Sequence, residues 1–392
     1  MKLSRRVMEL AESATLAVAG LAARMKAQGL DVISFGAGEP DFDTPDYIRQ
    51  AGIEAIQGGQ TKYPKPAHGL PSVREAVCAK LKRYNSIRYA PDQVIVTSGG
   101  KDAAFLAIHA VIDPGDEVVI PAPYWVSYPE MVRLAGGVPV FVAGPEEKDY
   151  KLTPDALRGV LSPRTRMFIL NSPSNPSGVT YNPDETRALA GVLVDRDLVV
   201  LSDEIYDQLV YDGQKVLSYA AVSDAAYRQT ITVNSASKTY AMTGWRLGYA
   251  AGPAEAIQAM AKIQSQSTSG AATFGQIALA AALNHDHEAI EAMRAEFERR
   301  GQHMWRRLNA MPGVTCPKPT GAFYCFPKVA ALYARVGASG SGAFAEKMLK
   351  EALVAVVPGL PFGMDDHVRL SFATGMKQIN EGLDRIEEWI AR

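Results

Sequence analysis

The chain has 392 residues, 47% of them hydrophobic and 21% charged, with a net charge of -1. That size points to one large domain with a smaller companion, and the composition excludes a disordered chain. A charge this close to zero gives no electrostatic ground for a nucleic-acid or anionic-membrane partner. At the N-terminus, basic MKLSRR and apolar ATLAVAGLAA loosely imitate a secretory leader. Glu9 and Glu12 interrupt that pattern, and the run continues into AARMKAQG without a cleavage site. It reads as an amphipathic helix of a cytoplasmic protein. From about Asp92 strand-like and helix-like segments alternate. QVIVTS, DEVVIPAP, GVPVFVA, TRMFILN, LVVLSDE, TITVNS and RLGYAAG read as strands. DAAFLAIHAVI, PEMVRLA and PDETRALAGVLVD read as helices between them. Short β-rich runs separated by helices predict an α/β domain around a mostly parallel, buried sheet, spanning about residues 45–284. Long charged helices follow, then strand-like TCPKP and GAFYCFP and a closing helix, INEGLDRIEEWIA. Residues 285–392, joined by 1–44, are expected to form a smaller α/β domain.

Three scattered cysteines, Cys78, Cys316 and Cys325, form neither a disulfide framework nor a CxxC pair, which fits a reducing compartment. The one close pair of histidines, His285 and His287, lies in NHDHEAI, a polar loop entering a helix, so no metal site is expected. No run has the length of a membrane span.

Open α/β sheets bind ligands outside the carboxyl ends of their strands. Polar residues gather just there: Gly99-Gly100-Lys101 after QVIVTS, Asn171 to Gly178 after RMFIL, Asp203 after VVLS, and Ser235 to Lys238 after TITVN. Each has an ordinary reading. TSGGKDAAF is a tight turn as readily as an anion cradle at a helix N-terminus, and it lacks the GxxxxGK[ST] of a P-loop. Asp203 is a helix cap as readily as a partner for a cationic ring nitrogen, with Tyr206 beside it. Asparagines in NSPSNPSG are turn formers as readily as ligands, and Trp125 in PAPYWVSY is core as readily as a stacking surface. Arg369 in HVRLSFA is harder to dismiss, because a buried arginine needs an anion from the protein or a substrate. In SASKTYAMTGWRLGY, Lys238 and Arg246 both sit between apolar runs, where a solvated charge is not expected, so both are expected to be buried. Together these features supply an anion cradle, a ring-nitrogen partner, a stacking surface, a carboxylate clamp and a buried lysine. Pyridoxal phosphate, a phosphorylated ring aldehyde, needs that set.

The motifs GAGEPDFDTP, PYWVSYPEM, NSPSNPSG, SDEIY, SASKTYAMTGWRLGY and HVRLSFAT, in this order, resemble the class I, fold type I pyridoxal-phosphate aminotransferases. The likeness runs from about Ser4 to the C-terminus and is nearest to the bacterial aspartate aminotransferases that carry GGK. It implies that Lys238 bonds the cofactor aldehyde and that Asp203 pairs with the ring nitrogen. Tyr206 and Asn175 would reach the ring hydroxyl while Trp125 stacks on the ring. Gly100 and Lys101, through their backbone N–H groups, would hold the phosphate with Ser235 and Arg246. Arg369 would take the substrate α-carboxylate with Asn175, Trp125 and the backbone of Gly38. Tyr63 would reach the phosphate of a neighbouring subunit, which implies a homodimer. The Lys101 side chain is associated with the distal carboxylate of acidic substrates, near the SAT element of Ser13 and Thr15. Amino acids and 2-oxo acids, aspartate and 2-oxoglutarate first, are then the expected substrates. Relatives that also accept prephenate commonly read KPSAT, where this chain has Ala11-Glu12 in place of Lys-Pro; aromatic aminotransferases and β-lyases share the scaffold. A missing GxGxxG argues against a hydride-transferring oxidoreductase. Only a short helix precedes GAGEPD, which argues against a DNA-binding regulator built on this fold.

Overall fold

A strand covered by helices on both faces is buried along nearly its whole length, and the central strands of this chain are. The computed structural model describes residues 1–11, 14–285 and 288–392. Expectations placed on Glu12, Ser13 and His287 therefore lie outside the described residues. Seven strands form the central sheet: β1 (Val94–Thr97), β2 (Glu117–Ala122), β3 (Val138–Ala143), β4 (Thr165–Asn171), β5 (Val199–Asp203), β6 (Thr230–Ser235) and β7 (Gly248–Ala251). Their order is β1-β7-β6-β5-β4-β2-β3, with only β7 running antiparallel to its neighbours. Successive residues alternate between the faces. Ile169, Leu201 and Val233 pack with Ala104 and Ile108 of the Gly100–Val111 helix, and Phe168, Leu170 and Val200 with Leu189 and Leu193 of the Pro183–Leu193 helix. The fold is thus α/β with a mostly parallel central sheet, as the strand pattern predicts.

The register brings the polar residues to one edge. Asn171 stands opposite Asp203, Asp203 opposite Val233, and both Thr97 and Ser235 opposite Gly248. Carboxyl ends of β1, β4, β5 and β6 therefore lie side by side, with the start of β7 among them.

A second core gathers around the helices Glu288–Ala310 and Met376–Ala391 and a three-stranded antiparallel sheet of Val357–Pro358, Val368–Ser371 and Tyr324–Cys325. Ile33–Ser34 pairs in parallel with Val354–Ala355, which ties the N-terminal segment to this part. The expected strand at TCPKP does not form. Only Thr315 pairs, through an isolated bridge with Lys328, because Pro317 and Pro319 have no N–H to give a ladder. No helix among the described residues is long and apolar enough to cross a membrane, and no group of three or more His, Cys, Asp or Glu among them could hold a metal ion.

Candidate active site

A cavity of about 640 Å³ opens where the strand ends meet the second core and the Ala14–Ala27 helix, within the range that small ligands occupy. Gly38, Gly100, Lys101, Trp125, Asn175, Asp203, Tyr206, Lys238, Arg246, Arg369 and Thr15 all line it. Eleven expected site residues from nine separate segments thus meet in one place.

Asp203 ends β5 and is 5% exposed. Its Oδ2 accepts from the Tyr128 hydroxyl at 2.6 Å, and its Oδ1 from the Ile205 N–H at 3.2 Å. Burial raises its pKa, a shift opposed by those two donors and by the charge of Lys238. A buried carboxyl so held is suited to receive a cationic partner. Lys238 follows β6 and reaches into the cavity, where Nζ donates to the carbonyl of Gly38. Burial pushes its pKa down to about 8; Glu39 resists the shift, and Arg369, Arg246 and Lys101 add to it. Tyr206 is buried and bonds the Tyr324 hydroxyl at 2.9 Å. Its pKa lies well above 10, raised by burial first, so it is a neutral phenol at physiological pH.

The loop between β1 and the Gly100–Val111 helix turns on Gly99, at φ +95°, a conformation that favours glycine. Gly248 presses against the backbone of Gly99, where a Cβ would come within 2.4 Å of the carbonyl carbon. The Gly100–Val111 helix thereby starts at the cavity wall, where the first N–H groups of a helix suit an anion. Arg246 departs from expectation. It is exposed, and lies ahead of β7 with φ +56°, its guanidinium bonding the carbonyls of Thr243 at 3.0 Å and Ser98 at 3.2 Å. The turn swings it out of the apolar run to the rim of the cavity. Ser235 is buried, and its hydroxyl donates to the Leu247 carbonyl and bonds Ser237 Oγ, both at 2.8 Å. Ser237 is the member of the pair that lines the cavity.

Arg369 is 1% exposed, with no carboxylate partner among the described residues. Nη1 donates to Asn175 Oδ1 at 2.9 Å and Nη2 to the Gly36 carbonyl at 3.1 Å, while Nε is buried without a partner. Rings of Tyr324 and Phe362 lie 4.5 and 5.2 Å from the guanidinium. A buried cation whose described partners are all neutral acceptors is suited to receive an anion. Lys101 sits 5.1 Å above the Trp125 ring. Tyr63 is 80% exposed and does not line the cavity. Sequence reading passed over Tyr128 and Tyr324, aromatics in apolar runs, although both sit within quoted motifs.

Residues 30–386 match the family described as aminotransferase class I and II. The chain belongs to that family. It is 45% identical over 390 residues to an aspartate aminotransferase of Geobacillus stearothermophilus, covering 100% of this chain and 99% of the relative. It is 46% identical over 385 residues to an aspartate/prephenate aminotransferase of Cereibacter sphaeroides, covering 97% and 96%. An aspartate aminotransferase from Thermus thermophilus, solved with maleate, superposes with a TM-score of 0.94 at 42% identity and 99% coverage of both chains.

The aminotransferase is pyridoxal-phosphate-dependent and has the type I fold. Its cavity fits that cofactor on structural grounds: a glycine turn and helix start for a phosphate, a buried carboxyl for a ring nitrogen, and a deep lysine titrating near 8 for an aldehyde. The lysine makes a pH prediction. Lys238 is lowered from 10.5 to about 8, and only its neutral form attacks an aldehyde. Incorporation of pyridoxal phosphate by the cofactor-free aminotransferase should therefore quicken as pH rises toward 8 and level off above it. Stopped-flow absorbance checks this; a rate still climbing through pH 10 would mean an unperturbed lysine.

Proposed function

We propose that this aminotransferase moves the amino group of L-aspartate to 2-oxoglutarate, giving oxaloacetate and L-glutamate in two half-reactions. The observation that carries this reading is a pair of cationic sites on one cavity: Arg369 deep in the wall and Lys101 near the Ala14–Ala27 helix. A dicarboxylic amino acid needs two such anchors. Relatives at 43–45% identity are named aspartate aminotransferases, and the Thermus thermophilus relative holds maleate, a four-carbon dicarboxylate.

In this reading the cofactor, once bound, supplies an aldehyde that takes the substrate nitrogen and a ring that accepts the electron pair freed at the α-carbon. Arg369 clamps the α-carboxylate with its planar fork, aided by Asn175 and the backbone of Gly38. Lys238, freed by the incoming amine, would take the proton from the substrate α-carbon and deliver it to the former aldehyde carbon of the cofactor, on the other side of the nitrogen they share. Its pKa near 8 keeps it close to the working pH for both transfers. Asp203, oriented by Tyr128, keeps the ring nitrogen protonated. Tyr206 and Asn175 donate to the ring hydroxyl, and Trp125 covers the ring. Gly100 and Lys101 N–H groups, Arg246 and the Ser235–Ser237 hydroxyl pair hold the phosphate. Thr15 faces the substrate side chain from the Ala14–Ala27 helix. Tyr63, exposed and outside its own cavity, serves the neighbouring subunit of a homodimer. Cytoplasmic residence agrees with three free cysteines among the described residues.

The test is a screen of amino donors, one half-reaction at a time, followed by the cofactor spectrum. Aspartate and glutamate should convert fastest. Lys101→Ala should cut kcat/KM for aspartate by roughly 10- to 100-fold, the worth of a charge-assisted contact, and leave alanine nearly unchanged. Equal losses for both donors would refute the assignment of Lys101. Prephenate belongs in the same screen as an acceptor, because relatives at 44–46% identity are named for it.

A further inference from the structure

The turn that carries Asp203 and Tyr206 has a second face. Asp203 and Tyr206 line the cavity. Glu204 and Asp207, the residue after each, are 5% and 9% exposed and join a polar cluster beneath it. Glu204 accepts from Ser202 Oγ at 2.8 Å, Ser218 Oγ at 2.6 Å and Asn85 Nδ2 at 2.9 Å. Asp207 Oδ2 accepts from Lys80 Nζ and from Asn85 Nδ2, the latter at 3.1 Å. Asn85 Oδ1 accepts in turn from Lys80 at 2.9 Å, and Lys80 is 1% exposed.

Two carboxyls and one ammonium are therefore buried together, and none of them touches the cavity. Such a cluster is expensive to desolvate, and an apolar core of equal volume is often at least as stable. Its presence therefore calls for a role other than stability. What it does geometrically is plain. Lys80 lies on the Pro71–Tyr84 helix and Asn85 just past its end, so the network bolts the 203–207 turn to that helix and to Ser218. Backbone bonds from Glu204 N–H to the Val233 carbonyl (2.9 Å) and from Asp207 N–H to the Glu204 carbonyl (3.0 Å) hold the main chain of the turn. Each anchor adjoins a cavity residue, so a slipped anchor would turn the neighbouring side chain.

We infer that Glu204, Asn85, Asp207 and Lys80 form a positioning network that sets the placement of Asp203 and Tyr206 through the backbone between them. The inference rests on the roles proposed above for those two residues. Glu204→Gln tests it, since the amide keeps the volume but replaces one acceptor oxygen with an NH2 group, which then faces either Ser202 or the pair Ser218 and Asn85. In the holoenzyme, the dissociation constant for pyridoxal phosphate should rise about tenfold and kcat fall about tenfold, as when a supporting hydrogen-bond shell is lost. The KM for aspartate should stay within about threefold, because the substrate clamp is untouched. The gap between the melting temperatures of the cofactor-free and cofactor-loaded protein should narrow. A purely structural cluster would lower both melting temperatures equally and leave affinity and kcat as in the unmodified protein, which would overturn the inference. Should Glu204→Gln fail to fold, Ser218→Ala, which removes one donor at a half-buried position, decides on the same readouts. A two- to threefold weakening of the cofactor, on the order of half a hydrogen bond, supports the network; no change overturns it. An unmodified protein that does not bind pyridoxal phosphate would instead sink the reading of the site.

Discussion

Arg369→Met is expected to cut kcat/KM for amino donors by about 10³-fold and to raise the melting temperature of the cofactor-free protein by roughly 2–4 °C. The two effects share one cause. The guanidinium is 1% exposed, and its partners among the described residues are Asn175, the Gly36 carbonyl and two aromatic rings. Without an anion it carries a desolvation cost that methionine, of similar length, does not. Relief of about 2–3 kcal/mol, within the range for replacing a buried charge by an apolar side chain, corresponds to roughly 2–4 °C in a chain of this size. With substrate present the balance reverses, because a carboxylate would then enter a wall with no cation, at a cost of about 3–5 kcal/mol. Steady-state kinetics and calorimetry on one preparation check both signs. A variant that melts lower and binds aspartate normally would show that Arg369 is structural.

Lys238→Ala is expected to reduce turnover by about 10⁴-fold or more, since one side chain serves as both the covalent attachment and the proton carrier. Pyridoxal phosphate should still bind, held through the phosphate cradle and Asp203, but exchangeably and without the absorbance of a lysine adduct. Rapid gel filtration followed by spectra separates the two cases. Retained turnover within about tenfold of the unmodified protein, on the scale of ordinary general-base losses, would move the proton transfer to another group.

Much of the sheet was legible because buried strands leave short apolar runs, as in MFIL within TRMFILN and VVL within VVLSD. Strand order was not. The antiparallel β7 sits between β1 and β6, a placement set by distant register and invisible to local periodicity. Within the cavity, Arg369 stood out from its sequence because burying a cation calls for an anion, and among the described residues no carboxylate pairs with it. Arg246 misled for the opposite reason. Apolar neighbours implied burial, but a left-handed backbone at a non-glycine residue has no sequence signature, and that turn carries it to the rim. Tyr128 was hidden because a hydroxyl on an aromatic ring in an apolar run looks like core until its partner, 75 residues away, is known.

One measurement bears most directly on the whole account. The purified protein is loaded with pyridoxal phosphate, reduced with borohydride, digested and mapped by mass spectrometry. A single pyridoxyl-phosphate adduct on the peptide bearing Lys238, at close to one per chain, is the predicted result. Modification of Lys101 or another lysine, with Lys238 recovered unmodified, would contradict it.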